Sequence, residues 1–190
     1  SNVQTQLTSL GVSCNLAVLP GDVVINEFVA QNTLIPDPAG EFEDWIELYN
    51  NTTSEINLSG MYLSDDAAQP TLWQFPDSTV IAANSYLIIW ADEDSGQAGL
   101  HANFKLSVDG EHIRFSNIDE SVLDTITFGA QSTNLSMMRI PNGTGNFVQV
   151  SGGSLSYSGY QSSGLFNKID IVSVGTSAED AYRQFTTQGD

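Results

Sequence analysis

The feature of this sequence that most constrains its fold is a series of short apolar runs separated by turn residues. Residues 23–29 are rich in β-branched side chains, which are enriched in strands. Over residues 44–50, successive side chains would point to opposite faces of a strand, so that Trp45, Glu47 and Tyr49 share one face. This rhythm predicts an all-β sandwich. Further runs of the same kind occupy residues 61–63, 71–75, 86–90, 112–116, 122–128, 137–140, 147–150 and 169–174.

The connectors between these runs have the composition of tight turns. Asp-Gly at 109–110 and Asn-Gly at 142–143 favour the positive φ angles of hairpin turns, and residues 108–111 give the best hairpin signal. A helical period is sustained in no window, although Ser177 could cap a short helix over residues 177–185. The prediction is therefore a sandwich of about nine strands with one candidate for a short C-terminal helix.

Composition shifts along the chain predict three regions. Residues 1–21 read as a linker or an added edge strand, and residues 22–150 carry the strand rhythm of the sandwich. Residues 151–190 form a C-terminal extension that begins with a stretch rich in Ser, Gly and Tyr. At 190 residues, one sandwich domain with extensions is a reasonable size.

The charge balance excludes several classes of partner. The chain has 23 acidic and five basic residues, for a formal net charge of -18. Nucleic acids and anionic membrane surfaces are bound mainly by clustered Lys and Arg, and here the basic residues are scattered singly. Direct membrane insertion is not expected either, because no apolar stretch approaches the ~18 residues of a membrane span. Acidity of this kind is explained by solubility or by divalent cation binding.

An ordered set of motifs gives the sequence a more specific likeness. The motifs are the segments 25–27, 44–50, 57–60, 63–65, 73–76, 86–92, 99–101, 103–106 and 109–111, with Ser136 and segment 139–143 after them. In this order they resemble the lamin tail domain of bacterial type, which implies an immunoglobulin-like sandwich of non-enzymatic character. The resemblance further implies an accessory module of an exported or surface protein, located outside the cell, at its surface or in the periplasm.

The resemblance also assigns framework positions within the sandwich. Trp73 and Trp90 are expected in the core, where large aromatics bury much apolar area. Trp45 is expected to be partly exposed, because it shares a face with Glu47 and Tyr49. The remaining framework positions are Phe75, Phe104 and Gly60.

Four polar residues are candidates for hydrogen bonding or for contact with a partner. The resemblance places Glu27 and Asp44 near strand ends, where a carboxylate can accept hydrogen bonds from backbone amides. Glu47 is the third candidate, and it shares a strand face with Trp45. His101 matches no metal-ligand spacing, but a cleft that gathered it with acids would favour an enzyme.

The densest acidic loop is a candidate calcium site. Asp92, Glu93 and Asp94 could supply three carboxylates, whereas Ca²⁺ takes six to eight oxygen ligands. The loop does not fit the EF-hand pattern, and a solvated acidic loop is the simpler interpretation. No cofactor is required by the sequence, and calcium is the one that it leaves open.

The function expected from these observations is binding of a protein partner or of neighbouring domains, without catalysis. The chain has no recognisable nucleophile motif. A calcium-dependent carbohydrate-binding or adhesion module is the main alternative, and it rests on the acidic loops and the tryptophans. A hydrolase is the minor alternative, since paired carboxylates are available in so acidic a chain.

Overall fold

The computed structural model describes residues 17–151, and all regular secondary structure in this part of the chain is β. The all-β prediction is thus confirmed. No helix in the described range is long and apolar enough to cross a membrane. The strands are β1 (Val23–Val29), β2 (Asp44–Asn50), β3 (Ile56–Asn57), β4 (Tyr62–Ser64), β5 (Trp73–Gln74), β6 (Val80–Ile81), β7 (Tyr86–Ala91), β8 (His101–Ala102), β9 (His112–Ser116), β10 (Val122–Thr127), β11 (Leu135–Ile140) and β12 (Asn146–Ser151).

The strands form two main sheets that enclose the core. The larger sheet has six strands in the order β12-β11-β1-β2-β7-β8, and the smaller has four in the order β10-β9-β4-β5. A separate two-stranded sheet pairs β3 with β6. Among the named strands, β7 and β8 pair in parallel and the other pairs are antiparallel. This arrangement is consistent with an immunoglobulin-like sandwich.

The core lies between the inner faces of the two main sheets. Phe28 of β1 packs on Phe128 with ring centroids 4.5 Å apart, and Phe75 packs edge-on against Phe115. Fully burying such a side chain contributes roughly 1.5–3 kcal/mol, so this layer supplies most of the apolar stabilisation. Framework residues Trp73, Phe75 and Phe104 all belong to this buried cluster.

A second apolar cluster lies on the outer face of the six-stranded sheet. It contains Val29, Trp45, Ile88 and Trp90, and Ile35 from the segment after β1 packs against it. Trp45 is 0% exposed, so the expectation of partial exposure was wrong. The alternation along β2 does turn Trp45 away from the main core, but the segment that carries Ile35 covers it.

β1 contains a bulge, which changes which of its side chains face the main core and which face the outer cluster. The register with β2 shifts between Ile25 and Glu27, which interrupts the alternation. Asp124 of β10 accepts a hydrogen bond from the Ile25 amide at 2.8 Å, and Arg139 of β11 donates to the Ile25 carbonyl at 2.9 Å. Arg139 and Asp124 also pair with each other at 3.0 Å. One ion pair therefore satisfies the bulged backbone and ties the two main sheets together.

Several sequence predictions about strands need correction. The described residues contain twelve strands rather than about nine, because β3, β6 and β8 have two residues each and are too short to show alternation. The predicted hairpin at residues 108–111 is wrong. Its turn does form, with the Gly110 amide bonded to the Ser107 carbonyl, but β8 and β9 belong to different sheets.

The Gly110 turn is a crossover between the sheets, and it requires glycine. Gly110 has a φ of +100°, and a Cβ there would lie 2.6 Å from the Phe128 carbonyl oxygen. Any side chain would therefore be both strained and blocked. Residues 1–16 of the linker expected at 1–21, the strand expected at 169–174 and the helix expected at 177–185 lie outside the described residues.

Candidate interaction surfaces and buried polar sites

The six-stranded sheet ends in an exposed edge strand, β12. β12 pairs with β11 over its full length, from Asn146 opposite Ile140 to Ser151 opposite Leu135. Within residues 17–151, no other strand pairs with its far side. Val148 at its middle is 40% exposed. Such an edge presents a row of backbone donors and acceptors to which another extended chain can pair.

The other sheet edges are less suited to accept a strand. β8 and β5 have only two residues each. β10 is longer, but its register with β9 shifts between Val122 and Asp124, and Asp124 is held by Arg139. Short strands, bulges and charges are the devices that blunt a sheet edge, so β12 is the most accessible edge in the described structure.

Beside the other edge of the same sheet, three buried polar side chains come together. Asp37, Asp92 and His101 are all buried, and one ligand-type atom from each lies within 4.8 Å of the others. The Nδ1 of His101 is 2.6 Å from the Oδ2 of Asp92, and both side chains are 1% exposed. The Nε2 of His101 lies 3.2 Å from the Ala98 carbonyl. The fold thus gathers His101 with two acids in its interior rather than in an open cleft.

Each member of this triad is placed by local backbone structure. The Oδ1 of Asp37 accepts a hydrogen bond from the Glu41 amide at 2.8 Å, which closes the turn between β1 and β2. Asp92 follows β7, and its Oδ1 accepts from the Asp94 amide. His101 lies in β8, which pairs in parallel with β7 at Trp90. Each carboxylate therefore uses one oxygen to hold its own turn.

Glycine is needed two residues before the histidine, at position 99. Gly99 has a φ of +125°, and a Cβ there would lie 3.2 Å from the Nε2 of His101. The adjacent loops are also cross-linked, because Gln97 donates to Glu41 at 2.6 Å and to Asp94 at 2.7 Å. The imidazole is held by its contacts with Asp92 and Ala98, and Gly99 leaves room for it.

A second pair of acids holds the crossover between the sheets. Asp44 accepts from the Leu106 amide at 3.2 Å, and Glu111 accepts from the Ser107 amide. Burial raises the pKa of Asp44 to about 7, against the opposing effect of the Leu106 hydrogen bond. Burial likewise raises the pKa of Glu111 to about 7, and the nearby carboxylates of Asp65 and Asp44 add to the rise.

A buried polar network lies next to the bulge in β1. Glu27 and Glu47 are directly opposite each other on β1 and β2, and both are fully buried. Asn26 donates to Glu47 at 2.9 Å and accepts from the Gly143 amide at 2.8 Å. Asn142 donates to the Tyr86 hydroxyl. This network fastens the turn between β11 and β12 to the centre of the six-stranded sheet.

In the structure, the three acids of the predicted calcium loop do not point toward one common site. Asp92 turns inward to His101, whereas Glu93 and Asp94 are exposed. In the part of the chain that the structure describes, the group with metal-ligand geometry contains Asp92 together with Asp37 and His101, without Glu93 or Asp94. Calcium binding by the loop acids stays a prediction.

The tryptophans offer no platform for stacking on sugars. Trp45, Trp73 and Trp90 are the chain's three tryptophans, and all of them are buried. Gly60, the remaining framework position, has a positive φ in the turn before β4. Carbohydrate recognition would have to use other groups.

The sequence matches the model of a known protein family. The model of the Lamin Tail Domain matches residues 19–130, more than half of the chain. The chain belongs to the lamin tail domain family. This is an immunoglobulin-like, non-catalytic type of domain. No curated protein matches the sequence.

Some of the sites described above lie within the residues that the family model matches, and others lie outside them. Asp37, Asp92 and His101 lie within the part that matches the lamin tail domain, as do Asp44 and Glu111. The edge strand β12 and its partner β11 lie beyond it, at residues 135–151. The hairpin that supplies the exposed edge thus lies outside the residues that the family model matches, although the motifs of the resemblance extend to Ser136 and segment 139–143.

Sequence reasoning missed two of the residues that matter most in these sites. Asp37 lies in a Pro- and Gly-containing turn, so no strand alternation related it to Asp92 or His101. Glu111 was noted only as part of a turn motif. Glu111 could have been identified from its position directly after Gly110, where a carboxylate can accept hydrogen bonds from the amides of the turn.

Proposed function

We propose that this lamin tail domain is a non-enzymatic interaction module of an exported or surface protein, and that it binds an extended protein segment along β12. The single observation that carries the proposal is the exposed outer side of β12 at the end of a six-stranded sheet. Strand addition obtains affinity from main-chain hydrogen bonds and specificity from alternate side chains. The family is of a non-catalytic type, which supports binding as the role.

The charge of the chain bears on the kind of partner. With a net charge of -18, the molecule attracts cationic segments over a distance and repels acidic ones. β12 itself carries no acidic side chain, since its sequence is NFVQVS. An extended segment with apolar and basic residues therefore fits this edge best, with the basic residues steering association.

The titratable groups support a binding role over hydrolysis. His101 and the acids beside it are buried, so they offer no open surface to a substrate. Asp44 and Glu111 are committed to backbone amides of the crossover. An extracellular, periplasmic or surface location is part of the proposal, and it is supported by the resemblance to bacterial accessory modules.

The test is selection of extended peptides against the immobilised chain, followed by affinity measurement with single variants. Val148→Lys places a charge at the middle of β12 and is expected to weaken the selected peptide at least tenfold, since charges on an edge oppose strand pairing. Val80→Lys is the matched control, because Val80 is 44% exposed on β6, which belongs to the separate two-stranded sheet. The selected peptide should bind the Val80→Lys variant as tightly as it binds the unaltered chain.

Val122→Lys tests the competing edge in the same way. Val122 is 42% exposed on β10, so this substitution matches Val148→Lys in chemistry and exposure. Loss of binding in Val122→Lys with no loss in Val148→Lys would reject β12 as the site. A hydrolytic activity that disappears when one carboxylate is replaced would reject the non-enzymatic proposal itself.

A further inference from the structure

We infer that Asp37, Asp92 and His101 form a buried binding site for one divalent transition-metal ion of the zinc type, with three ligands from the protein. The site lies beside β7 and β8, at the opposite edge of the sheet from β12, and the inference does not depend on strand addition. The ligand-type atoms of the three residues lie within 4.8 Å of one another. Atoms bound to one metal at about 2.0–2.2 Å fall within such a distance.

The donor set selects the class of metal. One imidazole nitrogen and two carboxylates are ligands that Zn²⁺ binds readily. Mn²⁺ and Co²⁺ accept the same donors. Ca²⁺ instead takes six to eight oxygen ligands, and an imidazole supplies none. The triad therefore differs in chemistry from the exposed acids Glu93 and Asp94.

The charges of the triad favour a cation. Two buried carboxyl groups accompany a single imidazole, so the acidic groups of the triad outnumber the basic one. Removing charge from water costs several kcal/mol per ion unless it is neutralised. A divalent ion would neutralise both carboxylates at once.

The hydrogen bonds around the three side chains resemble those that orient the ligands of a metal ion. Donation from the Nε2 of His101 to the Ala98 carbonyl directs the Nδ1 toward Asp92. A hydrogen bond of this kind, on the other ring nitrogen, commonly fixes a metal-binding histidine. Asp37 and Asp92 each hold a backbone amide with their Oδ1. The ion would replace the proton now between Nδ1 and Oδ2, which would separate from 2.6 Å to about 3.4 Å in a tetrahedral site.

The experiment is a zinc titration of the chelator-stripped chain, with metal content, Co²⁺ absorption and thermal unfolding as readouts. We expect one Zn²⁺ per chain and, at a hundred times the dissociation constant, a rise in the unfolding midpoint of roughly 5–11 °C. Asp37→Asn and His101→Gln should weaken Zn²⁺ binding by about a hundredfold or more, because each removes a ligand of the ion.

Two matched controls separate the triad from its surroundings. Asp94→Asn removes an exposed acid of the neighbouring loop, and His112→Gln removes the only other histidine of the chain. Both variants should bind Zn²⁺ like the unaltered chain. X-ray absorption of the zinc-loaded unaltered chain should show one imidazole in the first shell, and this measurement does not require any variant to fold.

Three results would overturn the inference. The first is absence of Zn²⁺ and Co²⁺ binding at micromolar concentrations. The second is a zinc shell that contains no imidazole. The third is metal binding, by Ca²⁺ or Zn²⁺, that is lost in Asp94→Asn but kept in Asp37→Asn.

Discussion

The two faces of the six-stranded sheet are built from the same strands but bury different chemistry. The inner face packs Ile25, Phe28 and Leu48 against the smaller sheet. The outer face buries Trp45 beside carboxylates, among them Glu47. Apolar packing on the inner face can be replaced only at a cost in stability. Polar groups on the outer face make specific hydrogen bonds. A substitution among them can alter the proposed binding of Zn²⁺ and leave the main core intact.

The largest effect should come from the inner face. Phe28→Ala removes a fully buried ring that packs on Phe128, and it should lower the free energy of unfolding by about 3–5 kcal/mol. Urea unfolding measures this loss. Stabilisation by Zn²⁺ should persist in the variant, since distant sites without shared partners behave additively. Loss of the zinc effect would show that the faces are coupled.

The next effect should come from the ion pair that joins the sheets. Arg139→Leu leaves the mostly buried Asp124 without its cationic partner and removes the bond to the Ile25 carbonyl. We expect a loss of about 2–4 kcal/mol, measured by chemical unfolding. Arg114→Leu is the control, because Arg114 donates to the Ser116 hydroxyl and the Glu120 backbone carbonyl rather than to a buried carboxylate. Equal losses in the two variants would contradict a bridging role for Arg139.

A smaller effect should appear as a change in pH dependence. Burial raises the folded pKa of Glu111 from 4.5 to about 7. A raised folded pKa contributes stability that is complete below the unfolded pKa and is lost as the pH rises through the folded pKa. Unfolding measured between about pH 5 and pH 8 should therefore show this loss in the unaltered chain.

Glu111→Gln should remove that part of the pH dependence. Gln can still accept from the Ser107 amide, so at about pH 8 the variant should be more stable than the unaltered chain by roughly 1 kcal/mol, after allowance for solvent screening. Glu55→Gln, at an exposed position, is the control. A slope in Glu111→Gln as steep as that of the unaltered chain would contradict the role of burial.

The smallest effect on stability should come from the edge. Val148→Lys changes a side chain of β12 that is 40% exposed, and surface substitutions usually alter stability by less than about 0.5 kcal/mol. Thermal unfolding checks this. A loss above 2 kcal/mol would mean that β12 contributes to the core and that the binding defect of the variant reflects unfolding.

The alternation of side chains made the residues of the inner face predictable from the sequence. The bulge in β1 made the same alternation a poor guide to the residues of the outer face. Strict alternation would place Ile25, Glu27 and Val29 on one face of β1. The bulge separates them, so that Ile25 faces the main core and Val29 the outer cluster. Nothing in the sequence marks the bulge, because it depends on backbone bonds to Asp124 and Arg139, which are remote in the chain.

The triad could not be predicted for a related reason. Asp92 was recognised as acidic and His101 as isolated, but their contact depends on the two-residue strand β8 pairing in parallel with β7. Asp37 reaches them from a turn without periodicity. Contacts set by short strands and irregular turns leave no pattern in a single sequence, whereas the family resemblance, carried by the motifs of the strands and their turns, was confirmed.

The most direct test of the account is amide hydrogen exchange of the chain with and without a selected extended peptide. Strand addition predicts that protection increases at alternate amides of β12, those that face away from β11, while amides of β10 and of residues 92–98 exchange as before. Protection confined to β10, or to the loop at 92–98, with β12 unchanged, would contradict the claim that this lamin tail domain binds its partner along its exposed edge strand.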